Sequence, residues 1–277
     1  SGLKMNEKEK RVLAAVEKAI GNDWHFKKLM PLARGTFGNV YELAKNNPMI
    51  GPDYRAVKIV QTSKKRLNRV KEELKHLNRT RDNQNIVSYI DYGTVHVGET
   101  LAMWFVMEKY VPLPEYGADR AFSEKDVLRI GIDVSHALEA CEREKIIHCD
   151  VKPSNIFVKS SKEAVYLLGD FSISLDDSQK KIANEYSIGY GSPEQLKKIA
   201  EPLSNRSDIY SLGMTLFVLA NDKKFSDHRD ELPEIERISA ELNAILKKAC
   251  SCYPGNRYQS ATELRKELLK LMITKYY

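Results

Sequence analysis

The chain has little of what staples, anchors or loosens a protein. Its 277 residues include four cysteines, Cys141, Cys149, Cys250 and Cys252. Four are too few for a disulfide framework, and Cys250-x-Cys252 lacks both the two-residue gap and the second Cys/His pair of a zinc site. A reducing cytosol suits such thiols, so a cytoplasmic location is expected. Long apolar runs are missing as well. The longest, Leu212 to Ala220, is broken by Gly213 and Thr215 and falls far short of a bilayer span. No charged-then-apolar leader opens the chain, so secretion is not expected. Internal repeats and low-complexity tracts are absent, which excludes solenoids. Neither sign of charge dominates: 44 Lys and Arg against 38 Asp and Glu give +6. That balance permits phosphorylated or acidic ligands, and no nucleic-acid partner is expected. What is present, 42% hydrophobic and 30% charged residues, suits a globular protein with ample core, either one large domain or two lobes.

The pattern changes twice along the chain. Residues 1–23 form a helical extension. Ser1-Gly2 reads as a cloning remnant, and Val12, Leu13, Val16 and Ile20 recur at helical spacing before Gly21 supplies a stop. That helix, over 4–20, needs a surface for its apolar stripe and is expected to pack on the domain behind it. Residues 24–110 are strand-like. Runs at 39–43, 54–60, 86–92 and 102–107 are rich in β-branched and aromatic residues, and a single helix interrupts them between 63 and 79. From 111 to 277 long helices prevail, with capping-box signatures at Ser123–Asp126 and Ser260–Glu263. A small strand-rich lobe followed by a larger helical lobe is an α+β arrangement.

Chemistry concentrates in a few segments. Gly35 and Gly38, within the run from Leu32 to Tyr41, suit a hairpin whose backbone approaches phosphates closely, although a glycine pair alone is usually just a turn. Lys58 sits inside the apolar strand Ala56-Val57-Lys58, where it either snorkels outward or faces an anion. In the helix that follows, Leu67, Val70, Leu74 and Leu77 define one buried face. Glu73 falls roughly 70° from that stripe and can turn inward to Lys58, while Glu72, about 170° away, reads as a solvent residue. The basic residues Lys64, Lys65, Arg66, Arg69, Lys71 and Lys75 read as a solvated face. The strongest signal is His148-Cys149-Asp150-Val151-Lys152-Pro153-Ser154-Asn155, between a long amphipathic helix and the apolar run Ile156-Phe157-Val158. Asp150, Lys152 and Asn155 place an acid, a cation and an amide ligand on one short loop. Phosphoryl transfer asks for that set: a carboxylate for the incoming hydroxyl, a positive charge near the moving phosphate and an oxygen ligand for Mg²⁺. Asp170-Phe171 follows another apolar run and offers a second metal-binding carboxylate.

In this order the residues resemble the eukaryotic-type (Hanks-type) serine/threonine protein kinase family over about residues 27 to 272. The resemblance implies a bilobal kinase fold using ATP and Mg²⁺ (or Mn²⁺) on a protein Ser or Thr hydroxyl. It implies an ATP site made by the glycine-rich loop Leu32, Ala33, Gly35, Gly38 and Val40, by Ala56, Lys58 and Phe157, by Met107 at the gatekeeper, and by Glu108 and Tyr110 at the hinge. Lys58 would hold the α- and β-phosphates with Glu73 as its partner. Asp150 would be the catalytic base, Lys152 the γ-phosphate contact, and Asn155 and Asp170 the metal ligands. His148, Phe171 and Ser187 would support the site. Glu194 of Ser192-Pro193-Glu194 would pair with Arg257, and Asp208 would lie beneath the catalytic loop.

Three positions depart from the family pattern. Ala33 replaces the first loop glycine, and Ser172 replaces the glycine after Asp170-Phe171. Cys149 stands where the family commonly has an arginine that receives an activation-loop phosphate, as in a non-RD kinase. The expectation is therefore an active kinase that does not need activation-loop phosphorylation. An ATP-binding scaffold and a small-molecule phosphotransferase are the alternatives, since fold does not fix activity. The first would be marked by loss of Lys58, Asp150, Asn155 or Asp170, the second by lack of a peptide-docking segment. The sequence is silent on the protein substrate and on oligomeric state.

Overall fold

The computed structural model describes residues 5–34, 38–62, 64–159, 162–171, 175–176 and 189–277, with the side chains of 62, 64–66, 69, 70, 73, 175 and 176 excepted. The chain forms two compact units, Ser1–Leu74 with Ser88–Lys109, and Lys75–Val87 with Tyr110–Tyr277.

In chain order the first stretch contains α1 (Glu7–Ile20), β1 (His25–Phe26), β2 (Ala33–Arg34), β3 (Asn39–Asn47), β4 (Gly51–Thr62), α2 (Lys64–Thr80), β5 (Tyr89–Val97) and β6 (Thr100–Glu108). The strands make one six-stranded sheet in the order β1-β3-β4-β6-β5, with β2 on β3. All its pairings are antiparallel. Because side chains alternate along a strand, the sheet sorts its residues into two faces. One face carries Tyr41, Leu43, Val57, Ile59, Ala102, Trp104 and Val106, and these form a single apolar cluster with Val12, Leu13, Val16 and Ile20 of α1. The extension thus packs on the sheet, as its stripe requires. It begins three residues later than expected, where Asn6 and Glu9 close a capping box, and it ends at Gly21, whose φ is +61°.

The opposite face carries Val60, Met103 and Phe105, against which Leu67, Leu74 and Tyr89 pack. Two expectations change here. The 86–92 run is not one strand: β5 starts at Tyr89, while Ile86 forms a lone parallel bridge with Leu168 and Val87 N–H bonds the Leu168 carbonyl at 2.9 Å. Glu72, read as a solvent residue, is half-buried. Residues 72, 76 and 80 share one edge of α2, and His76 and Thr80 on that edge are buried, so the helix is enclosed along more than its leucine stripe.

The second stretch contains β7 (Val111–Pro112), α3 (Leu113–Tyr116), α4 (Glu124–Arg143), β8 (Ile146–Ile147), β9 (Ile156–Lys159), β10 (Val165–Leu168), β11 (Leu175–Asp176), α5 (Asn205–Ala220), α6 (Ala240–Ala249) and α7 (Ala261–Tyr276). Helix α5 is buried at nearly every position from Ser207 to Ala220, which explains the long apolar run. Ser123 and Asp126 form the expected capping box of α4. At α7 only half the box forms: Ser260 accepts from the Glu263 N–H, whereas the Glu263 carboxylate takes the Gln259 N–H. Among the described residues no helix is long and apolar enough to cross a membrane, and the four cysteines are free thiols.

Candidate active site

In the first unit, sheet parity assembles the nucleotide-facing candidates. Val40 pairs with Lys58, Ala56 with Met107, and Lys58 with Phe105, so Val40, Ala56, Lys58 and Met107 all lie on the face opposite α1. Lys58 is only 7% exposed and does not snorkel outward. Gly38 is needed where it stands, because a Cβ there would lie 2.7 Å from the Ile59 carbonyl oxygen. Leu32 and Ala33 are exposed beside β3, with Leu32 N–H bonded to the Val40 carbonyl. Glu108 ends β6 and is exposed. After it, Lys109 donates to the buried Glu42 carboxylate at 2.9 Å, and Lys27 reaches the same oxygen at 3.4 Å. Burial pushes Glu42 up, but these two ammonium groups outweigh it and hold the carboxyl below its ordinary range. Gly35 and Ser187 lie outside the described residues, as does the side chain of Glu73.

In the second unit a short loop between β8 and β9 carries Asp150, Lys152 and Asn155. Asp208 of α5 is buried beneath it and accepts the His148 N–H on Oδ2 at 2.8 Å and the Cys149 N–H on Oδ1 at 2.9 Å. Burial nevertheless pushes its pKa up to about 6. The fully buried His148 ring is fixed on both sides. Its Nδ1 accepts the Asp150 N–H at 3.0 Å, so Nε2 bears the proton and donates to the Gly169 carbonyl at 2.7 Å. Its edge meets the buried Phe171 ring with centroids 4.7 Å apart.

Asp150 itself is held at both oxygens: Asn155 Nδ2 donates to Oδ2 at 2.9 Å and to the Asp150 carbonyl at 2.7 Å, and Lys152 Nζ lies 3.6 Å from Oδ1. Asn155 is 5% exposed, and among the described residues its Oδ1 accepts no hydrogen bond. An amide oxygen is a hard donor of the kind that suits a divalent cation. The Asn155 carbonyl accepts the Gly169 N–H at 2.9 Å, which ties this residue to Asp170 next along the chain. Asp170 has a φ of +54°, a left-handed backbone that aspartate adopts more readily than most residues bearing a Cβ. Tyr110 is half-buried beyond the β6 end, and the half-buried Phe157 sits on β9 opposite Pro112.

A third group braces the loop. The Glu194–Arg257 pair is fully enclosed and bidentate, at 2.6 and 2.8 Å, with Ser207 adding a hydroxyl at 2.8 Å. Burial raises the Glu194 carboxyl, but the guanidinium fork prevails and holds it below the ordinary carboxylate range. Beside it, Gln195 Nε2 donates to the Cys149 carbonyl at 3.0 Å. Gln195 and Glu42 are not among the residues expected from the sequence, and nothing local in the sequence marks either as buried.

The protein kinase domain family matches residues 26–275 of the chain. A probable serine/threonine-protein kinase of Clostridium perfringens is 31% identical over 210 residues, covering 68% of this chain and 30% of that protein. The serine/threonine-protein kinase PknB of Mycobacterium leprae is 33% identical over 173 residues, covering 55% and 27%. PknB of Mycobacterium tuberculosis is 33% identical over 168 residues, covering 53% and 26%. The chain therefore spans about a third or less of the length of these curated relatives.

Proposed function

Because the chain belongs to the protein kinase family, we propose that it transfers the γ-phosphoryl group of Mg·ATP to a Ser or Thr hydroxyl of a protein substrate, in a cytoplasmic setting. The observation that carries this reading is the held carboxylate of Asp150, with Lys152 beside one oxygen and Asn155 on the other. The acceptor hydroxyl donates to Asp150, which orients it for in-line attack and takes its proton as the bond to phosphorus forms. Lys152 offsets the charge on the transferring group. Lys58 is assigned to the α- and β-phosphates with Glu73 as its partner, and the backbone of Glu108 and Tyr110 to adenine. Val40, Ala56 and Phe157 are likewise assigned to the adenine ring. Asn155 and Asp170 would hold Mg²⁺ (or Mn²⁺), which when bound neutralises phosphate charge. Since the transition state is loose, most of the acceleration comes from positioning and charge.

The same reading includes independence from activation-loop phosphorylation. Cys149 is 2% exposed, and its thiol faces the Ile147 carbonyl at 3.5 Å, so this position offers no cation to a phosphate. The sites that such a phosphate would occupy, Ser174 and Ser178, lie outside the described residues, as does Ser172.

Asp150→Asn tests the assignment. It is expected to lower kcat by about 10²- to 10⁴-fold while leaving the KM for ATP within about twofold. An unchanged kcat in purified protein would remove Asp150 from the role.

A further inference from the structure

We infer that Gln195 is a positioning residue for phosphoryl transfer, acting on Asp150 through the peptide that precedes it; this rests on the kinase reading above. The Cys149–Asp150 peptide has two polar groups, and each has a partner in place. Its N–H donates to His148 Nδ1 at 3.0 Å, and its carbonyl accepts Gln195 Nε2 at 3.0 Å. The preceding peptide is fixed in turn, with the Cys149 N–H on Asp208 at 2.9 Å. Cys149 needs such holding, because its φ of +71° is a left-handed conformation that a side chain bearing a Cβ disfavours. The Gln195 bond adds to the hold on this peptide plane, and through it to the fixed direction of the Asp150 carboxylate.

The orientation of the Gln195 amide is settled by its other end. Its Oε1 accepts the Ser192 N–H at 2.9 Å and the Ser192 hydroxyl at 3.1 Å, so Nε2 is the atom that faces Cys149. Gln195 is 2% exposed and Ser192 fully buried, which removes water as a substitute donor. The clasp stands on the Glu194–Arg257 pair one residue away. A direct side-chain bond therefore links Ser192-Pro193-Glu194-Gln195 to the catalytic loop with no phosphate involved. It braces the loop at Cys149, the position where the family commonly places its phosphate-binding arginine.

Gln195→Met keeps the length of the side chain and removes the donor. It is expected to lower kcat about tenfold with the KM for ATP nearly unchanged, and to lower the melting temperature as well, because buried polar groups lose a partner. The decisive comparison is made in the Asp150→Asn background. There the same substitution is expected to cost less than about twofold, because a residue that acts through Asp150 has nothing left to position. An equal tenfold loss in both backgrounds, or an unchanged kcat in Gln195→Met, would overturn the inference. Should Gln195→Met not fold, Ser192→Ala gives the same reading in milder form. A kcat loss of about twofold, absent beside Asp150→Asn, supports the clasp, and no loss refutes it. Absence of transfer by the unsubstituted protein would instead strike the kinase reading, and the inference with it.

Discussion

Asp208 and Glu194 are both buried carboxyls, yet their surroundings drive them in opposite directions. Glu194 meets a guanidinium fork, and the pair outweighs burial. Asp208 meets two backbone N–H groups, which only partly offset the loss of water, and its pKa rises to about 6. The consequence for stability has a definite sign. Below the unfolded value near 3.8 the carboxyl is neutral in both states, whereas above about 6 the native state carries an enclosed charge. The contribution of Asp208 is therefore most favourable in acid and is lost as pH rises through 6. Relative to Asp208→Asn, the unfolding free energy of the unsubstituted protein is expected to fall by about 2 kcal/mol between pH 4 and pH 7. Urea titrations of the two proteins across that range check it, and a pH-independent difference would contradict it. The cost is borne at a residue that fixes the amides of His148 and Cys149, next to Asp150.

At the level of elements, α1 is part of the first unit's core rather than an appendage. Its four buried residues share a cluster with Tyr41, Leu43, Val57, Ile59, Trp104 and Val106. Leu13→Ala is expected to lower stability by about 2–5 kcal/mol, read as a drop in the urea midpoint, while a loss below about 0.5 kcal/mol would show that the helix is merely laid on the surface. The same helix shows what a sequence discloses. Its stripe, its stop at Gly21 and its need for a partner surface were all legible, because each is a local pattern with a local cause. The start of β5 was not. Ile86 and Val87 look like strand residues, but they meet Leu168, and nothing near them in the chain announces a partner so distant. Glu72 was misplaced for a related reason: a single leucine stripe says nothing of a second edge closed by His76 and Thr80.

For the molecule as a whole, the two compact units divide the candidate residues. The first carries Lys58 and its sheet neighbours, and the second carries Asp150, Lys152, Asn155 and Asp170. Asp150, Lys152 and Asn155 stand out in the sequence because chemistry dictates residue types at short spacing within one loop. The bonds that hold them do not, since His148 to Gly169, Cys149 to Asp208 and Cys149 to Gln195 join positions far apart in the chain. One measurement bears on the central claim most directly: transfer of label from γ-labelled ATP to generic protein substrates in the presence of Mg²⁺, beside an Asp170→Ala control, followed by identification of the phosphorylated amino acid. Phosphoserine or phosphothreonine that forms with the unsubstituted protein and vanishes in the control is the expected result. Binding of Mg·ATP with no transfer would contradict it and point to an ATP-binding scaffold.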